Sequence, residues 1–122
     1  MANERDSLVR THLVFGWIAL TVSLLLGLVL EMLHAYKVPL YLDVGKGTRR
    51  LLWTLAHAHG TLFAMVNIAF ALTLERISDW DGRSRTVASV CMRGGAVLLP
   101  VGFFLGGLFF FSCFFPGPCG HG

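Results

Sequence analysis

Three stretches of the chain run apolar for the length of a membrane crossing, and polar segments separate them. Residues 13–33, 51–74 and 94–115 supply runs of 21, 24 and 22 residues. The middle run, Leu51 to Leu74, holds no Asp, Glu, Lys or Arg. At about 1.5 Å of rise per residue, each run as a helix spans the roughly 30 Å hydrocarbon core of a bilayer. The pattern therefore predicts an all-α integral membrane protein: a small bundle of three transmembrane helices in one domain. The first run is too long for a signal-peptide core, and no A-x-A cleavage site follows it. Ser7 or Thr11 is the expected cap of the first helix. Asp81-Gly82 marks a turn, and Ser84–Arg93 reads as a helical lead-in to the third span.

Small and polar residues fall on particular faces of these helices. At 100° per residue, Ser23, Gly27 and His34 lie within about 20° of Gly16's direction on the first span. Such a seam lets a neighbouring helix approach closely. Glu31 stands about 60° from His34, and the two form an i,i+3 pair near the end of the seam. On the second span the seam is Ala56, Gly60, Asn67 and Ala71. His57 and His59 flank it on opposite sides, about 160° apart. One regular helix therefore cannot easily turn both toward a single ion. On the third span Gly95, Gly102 and Gly106 mark a close-packing face. Gly102-x-x-x-Gly106 has the spacing of a helix-dimerisation motif.

Composition sharpens the picture. Charged residues make up 14% of the chain, against about 25% in soluble domains. The net charge is +3, and no basic run is interleaved with aromatics, so nucleic-acid binding has no footprint here. Six arginines lie in the N-terminal segment and the second loop: Arg5, Arg10, Arg76, Arg83, Arg85 and Arg93. The first loop carries four cations and the tail none. The positive-inside rule then predicts a multi-pass protein of the cell (inner) membrane, its N-terminus cytoplasmic and its C-terminal tail outside. In that orientation Glu31, His34, His57, His59, Cys113, Cys119 and His121 share the outer side, and His12 alone lies inside.

An ionisable side chain within a span marks a functional site by default, because lipid offers it no hydrogen-bond partner. His57 and His59 are the first candidates. Around them, Arg49, an apolar stretch and then His57-Ala-His-Gly-Thr-Leu-Phe-Ala-Met65 resemble the second transmembrane helix of haem-copper oxidase and nitric oxide reductase catalytic subunits. The preceding helix, ending in Glu31-x-x-His34, resembles the first. The resemblance covers about residues 12–74 and implies a haem-binding hairpin. His59, the histidine before the glycine, would then be an axial ligand of haem b. It does not imply oxygen or nitric oxide reduction, since the family's remaining helices and metal ligands have no counterpart in the chain.

Independently of any family, imidazole is a standard axial ligand. If haem is bound, His34 is the candidate partner of His59, and His57 serves a second site or the surface. Glu31 would orient His34 or a group near the propionates. Arg49 and Arg50 would pair with the propionates. Cys113 and Cys119, six apart across the Pro116–Pro118 turn, are candidates for a disulfide. With His121 they are instead candidates for a soft metal such as Cu(I), or they are free thiols. No phosphate loop, triad spacing or H-E-x-x-H occurs, so no enzyme class is implied. Three functional readings follow: a b-type haem-binding or electron-transfer-associated subunit, a cofactor-free structural or assembly subunit, and an outer-face metal-handling protein. The glycine seams leave faces that need partners, so a homo-oligomer or a place in a larger membrane complex is expected.

Overall fold

The computed structural model describes residues 2–42, 47–77 and 80–114, with side chains for 4–41, 47–77 and 80–109. It contains α1 (Ala2–Ala35), α2 (Pro39–Leu42), α3 (Gly47–Arg76) and α4 (Gly82–Phe114). Helices α1, α3 and α4 are long and apolar enough to cross a membrane. Side chains such as Trp17, Ile18, Val22 and Leu98 are 59–73% exposed. A surface that apolar requires lipid rather than water around it.

The helices outrun the apolar stretches. α1 reaches back to Ala2, so Ser7 and Thr11 do not cap it. Thr11 Oγ1 instead donates to the Ser7 carbonyl inside the helix, at 2.8 Å. The extension gains from tertiary packing: Val9 is buried in a cluster with Phe70, Ala71 and Leu74 of α3. Glu4 also favours the first turn, where the helix dipole is positive. The expected lead-in to the third span is helical, and α4 begins at Gly82. The Asp81 carboxylate accepts from the Ser84 backbone N–H at 3.2 Å, the bond of an N-cap. Pro100 lies within α4 without ending it, as membrane spans allow.

α1 ends in a Schellman turn. The Val38 N–H donates to the Leu33 carbonyl and the Lys37 N–H to the His34 carbonyl, both at 3.1 Å. This places Lys37 at φ 51°, a left-handed conformation that glycine usually supplies. Pro39 follows at once, so the chain cannot continue the first helix. It enters the short α2 instead.

α3 is the central element. α1 and α4 both pack along it and touch each other sparsely. One third (33%) of its membrane window is buried, against 17% for α1 and 11% for α4. The seams read from the sequence are the packing faces. Ala56, Asn67 and Ala71 are at most 1% exposed, and Gly60 is buried beside Ser23 and Pro100. A Cβ on Gly16 would lie 2.6 Å from Ile68 Cγ1, so only glycine lets α1 meet α3 there. The Gly102-x-x-x-Gly106 pair differs from expectation. A Cβ at Gly102 would meet nothing within 4 Å, and one at Gly106 would meet Leu52 Cδ1 at an ordinary 3.7 Å. The close glycine contact of α4 is Gly107, whose Cβ would lie 2.5 Å from Trp53 Nε1.

Candidate functional site

α1 and α4 run antiparallel to α3, so the bundle has two ends. The hairpin end carries α2, and the amino end carries the first residues of α1 and α4. Each holds polar side chains inside an apolar setting.

At the hairpin end α1 and α3 enclose a groove of about 660 Å³, lined among others by Gly27, Glu31, His34, Thr54 and His57. His57 is fixed across the helix pair: its Nδ1 lies 2.7 Å from the Ser23 carbonyl oxygen. A carbonyl only accepts, so Nδ1 carries a proton, and in the neutral ring Nε2 keeps the lone pair. Gly27 makes this possible. A Cβ there would overlap His57 Cε1 and lie 2.8 Å from Nδ1. His34 is exposed on the same groove, with its ring edge-on to Tyr41 at 6.3 Å. A second groove of about 360 Å³ shares His34, Tyr41 and Thr54 and adds Arg50 to its lining.

The other predicted residues lie elsewhere. His59 donates from Nδ1 to the Leu55 carbonyl of its own helix at 2.9 Å, and its ring sits 5.1 Å from that of Phe103 on α4. It is on the opposite flank of α3 from His57, as the spacing requires. The groove therefore brings together His34, His57 and Glu31, and leaves His59 out. Arg49 parts from Arg50: its Nε donates to the Gly107 carbonyl at 3.1 Å, and its guanidinium lies 5.9 Å from the Trp53 ring. Trp53 is stacked between Tyr41 and Phe104. Cys119 and His121 lie outside the described residues, as does the side chain of Cys113. Among the described residues, no group of three or more His, Cys, Asp or Glu could hold a metal ion.

Among the described residues, the amino end holds the most enclosed polar cluster. His12 and Asn67 are 0% exposed and Ser89 is 1% exposed, one residue from each long helix. His12 Nδ1 lies 2.8 Å from Asn67 Oδ1, and His12 Nε2 lies 2.7 Å from Ser89 Oγ. Asn67 Nδ2 donates to the Phe63 carbonyl at 2.8 Å, which turns Oδ1 toward the imidazole. The roles are then determined. His12 Nδ1–H donates to Asn67, and Nε2 accepts from the Ser89 hydroxyl. A neutral imidazole satisfies the cluster with no nitrogen left over. Phe70 closes it, edge-on at 4.8 Å.

Sequence reasoning passed over this cluster, although part of its signal was there. His12 stands eleven residues before Ser23, within about 20° of the first seam. Asn67 was already on the second seam. Ser89 carried no such signal, because nothing local told which face of α4 meets the other helices.

No family model matches the chain, and neither does any curated protein or solved structure.

Proposed function

We propose that this membrane protein is a b-type haem-binding, electron-transfer-associated subunit whose cofactor sits in the groove between α1 and α3. The observation that carries the reading is His57: its Nδ1 proton is held by the Ser23 carbonyl, and its ring lines the groove that also takes in His34. Fixing one imidazole nitrogen on a carbonyl is how proteins orient the other toward a metal. His57 thus replaces His59 as the first axial ligand, with His34 as its partner. Glu31 is a neighbour able to orient His34. Arg50, in the lining of the adjoining groove, is the group to meet a propionate. An axially ligated haem supplies one-electron transfer, with a potential set by its ligands and burial. Set in the cell membrane with the N-terminus cytoplasmic, the groove opens in the outer leaflet.

The test is reduced-minus-oxidised spectroscopy of the purified protein with haem supplied. His57→Ala abolishes the b-type signal, His34→Ala shifts it, and His59→Ala leaves it intact. Loss in His59→Ala with retention in His57→Ala moves the site to the other flank. A wild type without haem ends the reading.

One observation favours a second reading, a cofactor-free assembly subunit. The open space over Gly102 and the exposed apolar face of α4 offer room for another helix. Cross-linking from position 102 to a copy or a partner in native membranes, in a protein without haem, is the result that reading requires.

A further inference from the structure

Beyond the haem groove, and independently of it, we propose that the mouth of the α1/α4 cleft at the amino end binds a phosphate oxyanion, that of an anionic lipid headgroup. Arg5 precedes His12 by seven residues and so shares its face of α1 within about 20°. Arg85 precedes Ser89 by four and shares its face of α4. His12 and Ser89 touch at 2.7 Å. Helix periodicity therefore sets Arg5 and Arg85 one to two turns farther out on the two faces that meet at His12 and Ser89.

The chain does not satisfy them. Arg85 has an 11% exposed side chain, yet its Nη2 comes no closer than 3.9 Å to the carboxylate of Glu4. Arg5 Nε is likewise 3.9 Å from the carboxylate of Asp6. Both distances exceed a hydrogen bond. Both carboxylates are at least 70% exposed, so water screens them. The Nε atoms of Arg5 and Arg85 are buried without an acceptor. A largely covered cation such as Arg85 is costly without a hydrogen-bonded partner, and Arg5, 32% exposed in its side chain, adds a second positive charge on the facing helix. A phosphate oxygen bridging them supplies acceptors and charge at once, with the fork geometry arginine favours. This end of the bundle is where lipid phosphates lie. Diffuse attraction is weak there: residues 1–12 and 75–93 carry six arginines against five carboxylates. Selectivity for anionic lipid must come from the local pair.

The experiment uses the full chain reconstituted in vesicles of phosphatidylcholine mixed with phosphatidylglycerol, then extracted gently and assayed for retained lipid. Wild type keeps phosphatidylglycerol in preference to phosphatidylcholine. Arg5→Gln and Arg85→Gln each cut that preference about tenfold, the effect of losing one charge-assisted contact of about 1.4 kcal/mol. Arg83→Gln, an equal charge loss at an exposed site, leaves it unchanged. Glu4→Gln removes the competing carboxylate and raises it, a gain that misfolding cannot mimic. Inorganic phosphate added to delipidated protein reports on the other source: thermal stabilisation of wild type but not of Arg85→Gln assigns the site to free phosphate instead of lipid. Equal lipid preference in wild type, Arg83→Gln and Arg85→Gln, with no response to inorganic phosphate, overturns the proposal.

Discussion

Replacing His12 by Ala removes a side chain that hydrogen-bonds to both of the other spans. Two buried interhelical hydrogen bonds are lost, His12 to Asn67 and His12 to Ser89. Within membranes such bonds average about 0.6 kcal/mol and reach about 1.7. The truncation also strips Phe70 of its edge-on partner and leaves a void that surrounding atoms fill only in part. Asn67 Oδ1 and the Ser89 hydroxyl stay behind, buried, with no imidazole to meet. Together these effects amount to about 2–4 kcal/mol. Reversible unfolding in mixed micelles measures this for His12→Ala, Asn67→Ala and the double variant. The single losses should exceed additivity by about 1 kcal/mol, since either one breaks the shared bond. Ser89→Ala is milder, at about 1 kcal/mol, because one acceptor lone pair is left unmet rather than a donor and an acceptor. Strict additivity of His12→Ala and Asn67→Ala would refute the bond on which this account rests.

Gly27→Ala drives a Cβ into the His57 ring and costs about 1–3 kcal/mol by overpacking. Proteolysis in detergent should show α1 loosened from α3, while an unchanged pattern would mean that His57 is not seated on α1. Gly107→Ala meets Trp53 in the same way and should alter the tryptophan fluorescence, whereas Gly102→Ala enters open space and leaves the monomer's stability within about 0.5 kcal/mol. Any strong effect of Gly102→Ala would have to act through self-association, which analytical ultracentrifugation reads. Lys37→Gly relieves the left-handed strain at the end of α1 and should stabilise by up to about 1 kcal/mol; a destabilised variant would show that the Schellman turn is not populated.

The sequence alone determined the architecture, because a bilayer imposes a strong and simple rule. A segment of about 20 apolar residues has no option but a helix that satisfies its own backbone. Helix periodicity then placed Gly16, Ser23 and Gly27 on one face and Ala56, Gly60, Asn67 and Ala71 on another, and these faces do meet. It also put His57 and His59 on opposite flanks, which is geometry internal to one helix. What it lacked was the relation between helices. Whether His57 or His59 shares a groove with His34 depends on which side of α3 receives α1, and no local pattern encodes that. The same gap explains Gly102 and Gly107. Both are glycines in one apolar run, and only the approach of Trp53 tells the packed one from the open one. Asn67 and Ser89 lie 55 and 77 residues along the chain from His12. Their meeting is fixed by the rotation of three helices about their axes and by the offset between them. Those rotations are decided by side-chain packing summed over whole interfaces, so the polar cluster exists only in the tertiary structure.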